Sequence, residues 1–200
     1  MKKNEIISAL EPVVNAFNEF GILYYVSGSV ASSAYGIARS TLDVDLVSNL
    51  SPFHIQPLVK KLEDEYFIDG GMIADAIKTK SSFNLIHLKT MLKIDVFILK
   101  DQPYPQKAFE RKVKDKLDDD PNSINIFISS PEDVILNKLD WYKSGGEIAE
   151  RQWSDIIGVI KVQGKNLNKN YLINWAKQLG LFSLLEKSFF DSGQELVEDS

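Results

Sequence analysis

The amino-acid sequence predicts an α+β (mixed α/β) fold, in which a mixed sheet is flanked by helices and followed by a helical C-terminal portion. Segments rich in β-branched and aromatic residues fill the first two thirds of the 200 residues, and helical patterns fill the last third. The hydrophobic fraction of 44% and the charged fraction of 26% are typical of folded globular proteins. We expect an α/β domain over 1–128, a helical portion packed on it over 129–190, and a loose acidic tail over 191–200.

Local patterns in the first part of the chain predict helices that alternate with strands. The segment "EIISALEPVVNAFNEF" spaces its apolar residues as a helix does, and Gly21 ends it. Next come a buried strand in "ILYYVSG", a short close-packed helix in "SVASSAYG" and a second strand in "LDVDLV". Ser51 and Pro52 predict the start of another helix, whose regular part Pro57 delays.

The remaining segments predict three more strands and then a series of helices. Two strands joined by a short turn are expected in "SFNLIHL" and "MLKIDVFIL", and a further strand in "SINIFIS". Ser130, Pro131 and Asp133 then form a helix start of the capping-box kind in "SSPEDVILNKLDWY". Helical patterns continue in "EIAERQWSDIIGVIK", "NKNYLINWAKQLG" and "LFSLLEKSFF".

The composition excludes or disfavours several kinds of site. The chain has no cysteine, so disulfides and thiolate metal sites are excluded. Its two histidines, His54 and His87, are far apart in the sequence, and we interpret both as structural rather than as zinc ligands. No apolar run reaches the ~18 residues of a membrane helix. The N-terminal segment also lacks the apolar core of a signal peptide, so we expect a cytoplasmic protein.

The charge balance argues against a broad nucleic-acid-binding surface, because the net charge is −5. One local group of bases lies in "QKAFERKVKDKL", where Glu110 and Asp115 are interleaved with the basic residues. We interpret that segment as the solvated face of a helix. Its bases are Lys107, Arg111, Lys112, Lys114 and Lys116.

Three aspartates interrupt segments that otherwise read as buried strands. Residues two apart in a strand share a face, so Asp43 and Asp45 point away from Leu42, Val44 and Leu46. In the later strand, Asp95 likewise shares a face with Lys93 and Phe97. A carboxylate in an apolar strand is costly unless it is solvated, paired or bound to a cation. For a lone pair of acids, solvation is the favoured interpretation.

Three features of the sequence favour a metal and phosphate site at the acid pair. Gly28 and Ser29 follow a strand and open a helix, where backbone N–H groups favour a phosphate. Arg39 lies shortly before the acids, and Asp95 is on a strand able to lie beside theirs.

These residues resemble the signature of the DNA polymerase beta-like nucleotidyltransferase superfamily. The signature is a strand ending in Gly-Ser or Gly-Gly, an Asp-x-Asp pair within a later strand, and a third acid on another strand. Here Gly28-Ser29 is followed by 13 residues and then by Asp43-Val44-Asp45, with Asp95 as the third acid. The resemblance implies a nucleotidyltransferase-like fold.

The segment "YGIARSTLDVDLV" is also similar to a particular branch of that superfamily, the minimal bacterial transferases and abortive-infection type toxin subunits. The helical motifs of the same branch resemble two later segments, "SSPEDVILNKLDWY" with Lys138 and "ERQWSDI" with Arg151 and Asp155.

The resemblance implies transfer of a nucleoside monophosphate from a nucleoside triphosphate (NTP) to a hydroxyl acceptor, with release of pyrophosphate. Asp43 and Asp45 would ligate one or two Mg²⁺ ions, and Asp95 would complete the metal site and accept the proton of the hydroxyl. Gly28 and Ser29 would bind the β- and γ-phosphates.

Four further residues have a functional and a structural interpretation. In the functional interpretation Arg39 contacts a phosphate or a base, and in the structural one it forms an ion pair. Lys138 binds phosphate in the functional interpretation, and in the structural one it is an exposed helix residue. Arg151 and Asp155 are weaker candidates, because residues four apart on a helix form ordinary surface pairs.

The acceptor and the wider role are open at this level. The acidic composition favours a small molecule, a protein hydroxyl or a short contact on tRNA as the acceptor. Two alternatives to an active transferase stand beside it. One is a non-catalytic nucleotide-binding protein, and the other is a toxin–antitoxin-type interaction protein with a transferase fold and a partner protein.

Overall fold

The computed structural model describes residues 3–41, 43–116 and 124–197. Leu42, Leu117 and Ser123, which belong to predicted segments, lie outside the described residues, as do 198–200 of the predicted tail. The described residues form two compact units. The sheet unit comprises the described parts of Met1–Ser27 and Ser40–Ser129, and the helical unit comprises those of Gly28–Arg39 and Ser130–Ser200.

Nine α-helices lie within the described ranges. They are α1 Lys3–Glu19, α2 Gly28–Tyr35, α3 Ile55–Leu62, α4 Gly70–Thr79, α5 Pro103–Glu110, α6 Pro131–Ser144, α7 Glu150–Gln163, α8 Lys169–Gln178 and α9 Phe182–Ser192. Short 3₁₀ helices cover Pro52–His54 and Gly164–Asn166.

Seven strands of the described chain form one mixed sheet. They are β1 Tyr24–Ser27, β2 Asp43–Ser48, β3 Tyr66–Phe67, β4 Ser82–His87, β5 Lys93–Ile98, β6 Val113–Lys116 and β7 Asn125–Ile128. The order across the sheet is β3-β4-β5-β2-β1-β7-β6. The pairs β2–β5 and β1–β7 are parallel, and the other neighbours are antiparallel.

The core of the sheet unit explains why its central strands tolerate acids. Val44 and Leu46 of β2 and Ile94 and Val96 of β5 are fully buried, and the residues between them are only half-buried. This alternation is that of a strand with one face on the core and one face toward solvent. The central strands therefore present their polar side chains together, on the face away from these core residues.

Helix α1 covers part of the sheet unit with an apolar stripe. Val13 and Phe17 of α1 are fully buried, and the Phe17 ring makes an edge contact with Tyr24 of β1 at 5.7 Å between centroids. The buried Tyr66 hydroxyl donates a 2.7 Å hydrogen bond to the Ala9 carbonyl, which ties α1 to β3. The helix ends before Gly21, whose positive φ of 68° suits glycine, as the sequence predicts.

The helical unit is built from α2 and α6–α9, and α2 passes very close to α7. A Cβ atom added at Gly36, just after α2, would lie 2.8 Å from the Val159 backbone nitrogen of α7. Gly158 faces the same contact, because its Cβ would lie 3.3 Å from the Ile37 nitrogen. At the start of α6, the Ser130 hydroxyl accepts from the Asp133 N–H at 3.2 Å, as predicted for a capping residue.

Several local predictions are corrected. The basic segment, predicted as a helix face, is only partly helical: α5 ends at Glu110, and Val113–Lys116 is the exposed strand β6 paired with β7. Tertiary pairing overrides local propensity there. Helix α4 and strand β3 were not predicted, because the glycines at the start of α4 and the shortness of β3 hide their patterns.

The C-terminal part differs from prediction in two details. Helix α9 extends to Ser192, into the predicted tail, and the Asp191 carboxylate accepts hydrogen bonds from Trp153 and Lys187. The segment 28–39 belongs to the helical unit, whereas the predicted packing of residues 129–190 on the α/β domain stays a prediction. In the part of the chain that is described, no helix is both long and apolar enough to cross a membrane.

Replacing Gly36 by alanine tests the close approach of α2 and α7. The Gly36→Ala side chain would meet backbone atoms, which cannot rotate away, so we expect a loss of about 1–3 kcal/mol in the free energy of unfolding. The three tryptophans, Trp141, Trp153 and Trp175, all lie in the helical unit, so urea denaturation followed by their fluorescence reports on it. The exposed-position control Ser183→Ala should change little, and equal stability of both variants would contradict the close approach.

Candidate functional site

The parallel pairing of β2 with β5 brings the three predicted acids together on one face. Asp45 is paired with Asp95 in the register of the two strands, and Asp43 is paired with Lys93. All three acids are half-buried, and they alternate with the fully buried core residues of their strands. We call Asp43, Asp45 and Asp95 the acidic face.

Neighbouring side chains orient two of these carboxylates. The Thr41 hydroxyl donates a 2.7 Å hydrogen bond to Asp43 Oδ1. The Asn84 amide on β4 donates a 3.1 Å hydrogen bond to Asp95 Oδ1. The other oxygen of Asp95 forms an ion pair with Lys93 Nζ at 2.7 Å. Asp95 therefore has both oxygens engaged by side chains of its own strand and the next one.

Lys93 experiences the charge of the whole acidic face. Its hydrogen bond to Asp95, and then the negative charges of Asp95, Asp43 and Asp45, raise the pKa of Lys93 above its ordinary value, although burial works in the opposite direction. The ammonium is thus held in the charged form by all three carboxylates.

The donor set of the acidic face suits a hard divalent cation. Mg²⁺ prefers oxygen ligands and is usually held by one or two carboxylates together with substrate phosphates. Asp43 and Asp45 supply such carboxylates from one face of one strand. Among the described residues, no group of three His, Cys, Asp or Glu side chains is gathered closely enough to hold a metal ion by itself. Asp43 and Asp45 therefore match the one or two carboxylates that usually ligate Mg²⁺.

The helical unit contains a separate network of charged groups centred on Asp155. Arg39 Nε donates to Asp155 Oδ1 at 2.8 Å, and a terminal nitrogen of Arg39 donates to Oδ2 at 2.9 Å. Lys138 Nζ donates to the same Oδ2 at 2.8 Å and to Gln152 at 2.9 Å. Arg39 also donates a 2.7 Å hydrogen bond to the Ser29 hydroxyl. We call Ser29, Arg39, Lys138 and Asp155 the Asp155 network.

Opposing effects act on the Asp155 carboxyl. Burial raises its pKa, but the hydrogen bonds and charges of Arg39 and Lys138 outweigh burial, so the pKa of Asp155 lies below its ordinary value. The side chains of Asp155 and Lys138 are each 5% exposed, and that of Arg39 is 32% exposed. This is a largely buried ion pair with one partly solvated member.

The Asp155 network corrects two structural interpretations drawn from the sequence. Lys138 is buried rather than exposed on its helix. The two oxygens of Asp155 accept from Arg39 and Lys138, whereas Arg151, four residues earlier on α7, is exposed, so the surface-pair interpretation was wrong. Arg39 forms the structural ion pair foreseen for it.

Gly28 and Ser29 lie where the strand–helix motif requires them. Gly28 follows the last residue of β1, begins α2 and has a φ of 59°, a conformation that favours glycine. Binding roles for Gly28, Ser29, Arg39 and Lys138 stay predictions, and so does a role for Arg151.

Both histidines support local structure. The Ser51 N–H donates to His54 Nδ1 at 3.1 Å at the start of the short 3₁₀ helix. His87 packs against Tyr66 at 5.1 Å between ring centroids and bonds Thr90. Burial lowers the pKa of each.

Near the acidic face, the sequence analysis located Lys93 only in part and missed Asn84. Lys93 was placed beside Asp95, but its position opposite Asp43 depends on strand register. The alternating pattern of β4 could have shown that Asn84 lies on the face of the sheet away from the core. Its contact with Asp95, however, depends on the pairing of β4 with β5.

Solved structures of similar fold were found. The solution structure of the antibiotic-resistance factor ANT(2'')-Ia aligns with a TM-score of 0.58 and 11% identity, over 95% of this chain and 96% of that one. A crystal structure of ANT(2'')-Ia in complex with adenylyl-2''-tobramycin aligns with a TM-score of 0.53 and 10% identity, over 92% and 98%. An antigenic nucleotidyltransferase-like protein from Paracoccidioides brasiliensis aligns with a TM-score of 0.54 and 16% identity, over 92% and 93%.

These likenesses concern the fold, and the predicted nucleotidyltransferase-like fold class is confirmed. No protein-family model matches the sequence, and no curated protein matches it significantly.

Substitution of Asp155 should lower the stability of the helical unit. Asp155→Asn leaves the buried Lys138 ammonium without its counter-ion, and we expect a loss of about 3 kcal/mol in the free energy of unfolding. The matched control is Arg151→Gln on the same helix, which should cost no more than about 0.5 kcal/mol. Urea denaturation followed by tryptophan fluorescence measures both, and equal losses would contradict a buried ion pair.

The stability difference between the wild type and Asp155→Asn should also depend on pH. The folded-state pKa of Asp155 is depressed, so its contribution is complete above its ordinary value of 3.8 and is lost as the pH falls through the folded value. The difference should therefore be constant near neutrality and shrink below pH 3.8. A difference that grows toward acid pH in the same denaturation experiment would contradict the assigned direction.

Proposed function

We propose that this protein is a magnesium-dependent nucleotidyltransferase that moves a nucleoside monophosphate from an NTP to a hydroxyl acceptor and releases pyrophosphate. The observation that carries the proposal is the register of Asp45 with Asp95, with Asp43 on the same face of β2. A fold shared with nucleotidyltransferases adds support, although fold alone does not determine activity.

The acids on the two strands of the acidic face have different proposed roles. Asp43 and Asp45 would hold Mg²⁺, and Thr41 keeps the Asp43 carboxylate oriented. The bound ion supplies a positive charge that stabilises the oxygens of the reacting phosphate. Asp95 would complete the metal site and accept the proton of the acceptor hydroxyl. The acceptor oxygen forms a bond to the α-phosphorus, and the bond from that phosphorus to the β-phosphate oxygen breaks as pyrophosphate leaves.

We further propose that Gly28 and Ser29 bind the β- and γ-phosphates. The positive φ of Gly28 suits a turn in which backbone N–H groups face an anion, and α2 begins at that point. The Ser29 hydroxyl accepts from Arg39, which leaves its own proton available for a phosphate oxygen. Arg39 and Lys138 add positive charge, and Asp155 holds both of them in place.

ATP and a small hydroxyl compound are the proposed substrate classes. The structure of ANT(2'')-Ia with adenylyl-2''-tobramycin pairs an adenylyl group with a small-molecule acceptor in a protein of similar fold. The net charge of −5 is also unfavourable for a large polyanionic acceptor. A protein hydroxyl or a short contact on tRNA is the second choice. Membership of the toxin-type branch, a protein partner and a cytoplasmic location stay predictions from the sequence.

Nucleotide binding provides the first test, because it does not require the acceptor to be known. Calorimetric titration with each of the four ribonucleoside triphosphates should reveal Mg²⁺-dependent binding, strongest for ATP. The double variant Asp43→Asn/Asp45→Asn should bind at least tenfold more weakly in Mg²⁺, equivalent to about 1.4 kcal/mol. The reason is that it removes the carboxylates proposed to hold the ion.

The matched control is Asp101→Asn/Glu110→Gln, which removes the same charge from exposed positions of the sheet unit. It should bind ATP as the wild type does. If no triphosphate binds the folded wild type, or if both double variants weaken binding equally, the proposed metal site is wrong. Tight Mg²⁺-dependent binding without pyrophosphate release, with every acceptor class supplied, would favour the non-catalytic alternative.

A further inference from the structure

We propose that Lys93 is an internal counter-cation of the acidic face, which compensates the carboxylates before Mg²⁺ binds and leaves Asp95 when the ion arrives. The inference rests on the proposed function, because it assumes that the acidic face takes a divalent cation. It adds a competitor to that site: the protein's own ammonium group.

The position of Lys93 makes it a competitor for the same oxygens. It is the first residue of β5, paired with Asp43 on β2 and two residues before Asp95, so it shares the face of all three acids. Its Nζ atom lies 2.7 Å from Asp95 Oδ2. A metal ion and an ammonium cannot both occupy that oxygen without strong repulsion between their charges.

Two of these carboxylates also accept hydrogen bonds from uncharged side chains. Thr41, which bonds Asp43, and Asn84, which bonds Asp95, are both neutral donors. Like charges on adjoining strands repel each other, so the positive charge of Lys93 lowers the cost of placing the three acids on one face.

The exposure of Lys93 allows it to leave. Its side chain is 46% exposed, whereas that of Asp95 is 15% exposed. An ion pair with one half-solvated member is weak, so exchanging the ammonium for a divalent cation costs little. The long aliphatic stem can then carry the ammonium into water while its backbone stays in β5.

The test is metal binding without nucleotide, measured with Mn²⁺ by the electron paramagnetic resonance signal of the free ion. In Lys93→Met the competing charge is gone, and we expect the Mn²⁺ dissociation constant to fall roughly tenfold. Lys93→Arg keeps the charge and should bind as the wild type does. Lys93→Gln gives a second neutral variant should Lys93→Met fail to fold.

Lys61→Met is the matched control for the loss of one positive charge. Lys61 also lies in the sheet unit, is 47% exposed and forms a 2.7 Å ion pair, with Glu19 instead of an acid of the acidic face. Its substitution should change the Mn²⁺ dissociation constant by less than about twofold. A similar gain in both variants would show a general charge effect and overturn the inference.

Thermal unfolding gives a second readout. In the presence of a chelator, Lys93→Met should have a lower melting temperature than the wild type, because the three carboxylates lose their counter-charge. Saturating Mn²⁺ should remove that difference in melting temperature. Any lowering of the melting temperature in Lys61→Met should be the same with and without Mn²⁺. A Lys93→Met deficit that persists unchanged in Mn²⁺ would overturn the inference.

Failure of the inference can be told apart from failure of the proposed function. If Asp43→Asn/Asp45→Asn abolishes Mn²⁺ binding but Lys93→Met leaves it unchanged, the metal site stands and the counter-cation role is wrong. If Mn²⁺ binds equally well to the Asp43→Asn/Asp45→Asn variant, both are wrong. If Mn²⁺ without nucleotide binds neither the wild type nor Lys93→Met, while ATP still binds in a Mg²⁺-dependent way, the counter-cation role is wrong and the proposed function stands. Binding detected in Lys93→Met and not in the wild type supports the inference.

Discussion

The parallel pairing of β2 with β5 determines where the acids of this protein lie, and the rest of the candidate chemistry depends on it. Alternation in both strands buries Val44, Leu46, Ile94 and Val96, and a shift of one residue in either strand would exchange the buried and the solvated faces. The apolar core therefore fixes the face on which Asp45 and Asp95 lie. Hydrophobic burial positions the carboxylates, although none of the core side chains takes part in the proposed chemistry.

The acids on one face repel each other, and neighbouring side chains compensate part of that repulsion. Thr41 and Asn84 donate hydrogen bonds to the carboxylates, and Lys93 brings a positive charge to them. The helical unit shows the inverse arrangement, in which the single carboxylate of Asp155 holds two cations, Arg39 and Lys138. A half-solvated cation is exchangeable, whereas a buried one is a fixed part of the fold. This difference in burial is why we assign a movable role to Lys93 and a positioning role to Asp155.

The sequence carried enough information for the order of most elements and for the orientation of the acids. Period-two alternation placed Asp43 and Asp45 on one face, and the same alternation placed Asp95 with Lys93. The adjacency of β2 and β5 could not be derived from periodicity, because it is a long-range pairing, and the sequence indicated only that the two strands were able to lie side by side. The burial of Lys138 was missed for a similar reason, since its partner Asp155 lies on another helix. The helical prediction for Val113–Lys116 failed because pairing with β7 outweighs local preference.

The most direct measurement of the central claim is the site of metal binding in solution. Backbone amide signals are recorded by NMR during addition of a trace of Mn²⁺ with ATP, because a paramagnetic ion broadens the signals of nearby amides. The account predicts that the amides of Asp43 and Asp45 on β2 and of Asp95 on β5 broaden first and together, ahead of those at the far ends of these strands. Broadening centred on other residues, or on one of the two strands alone, would contradict a single metal site on the acidic face.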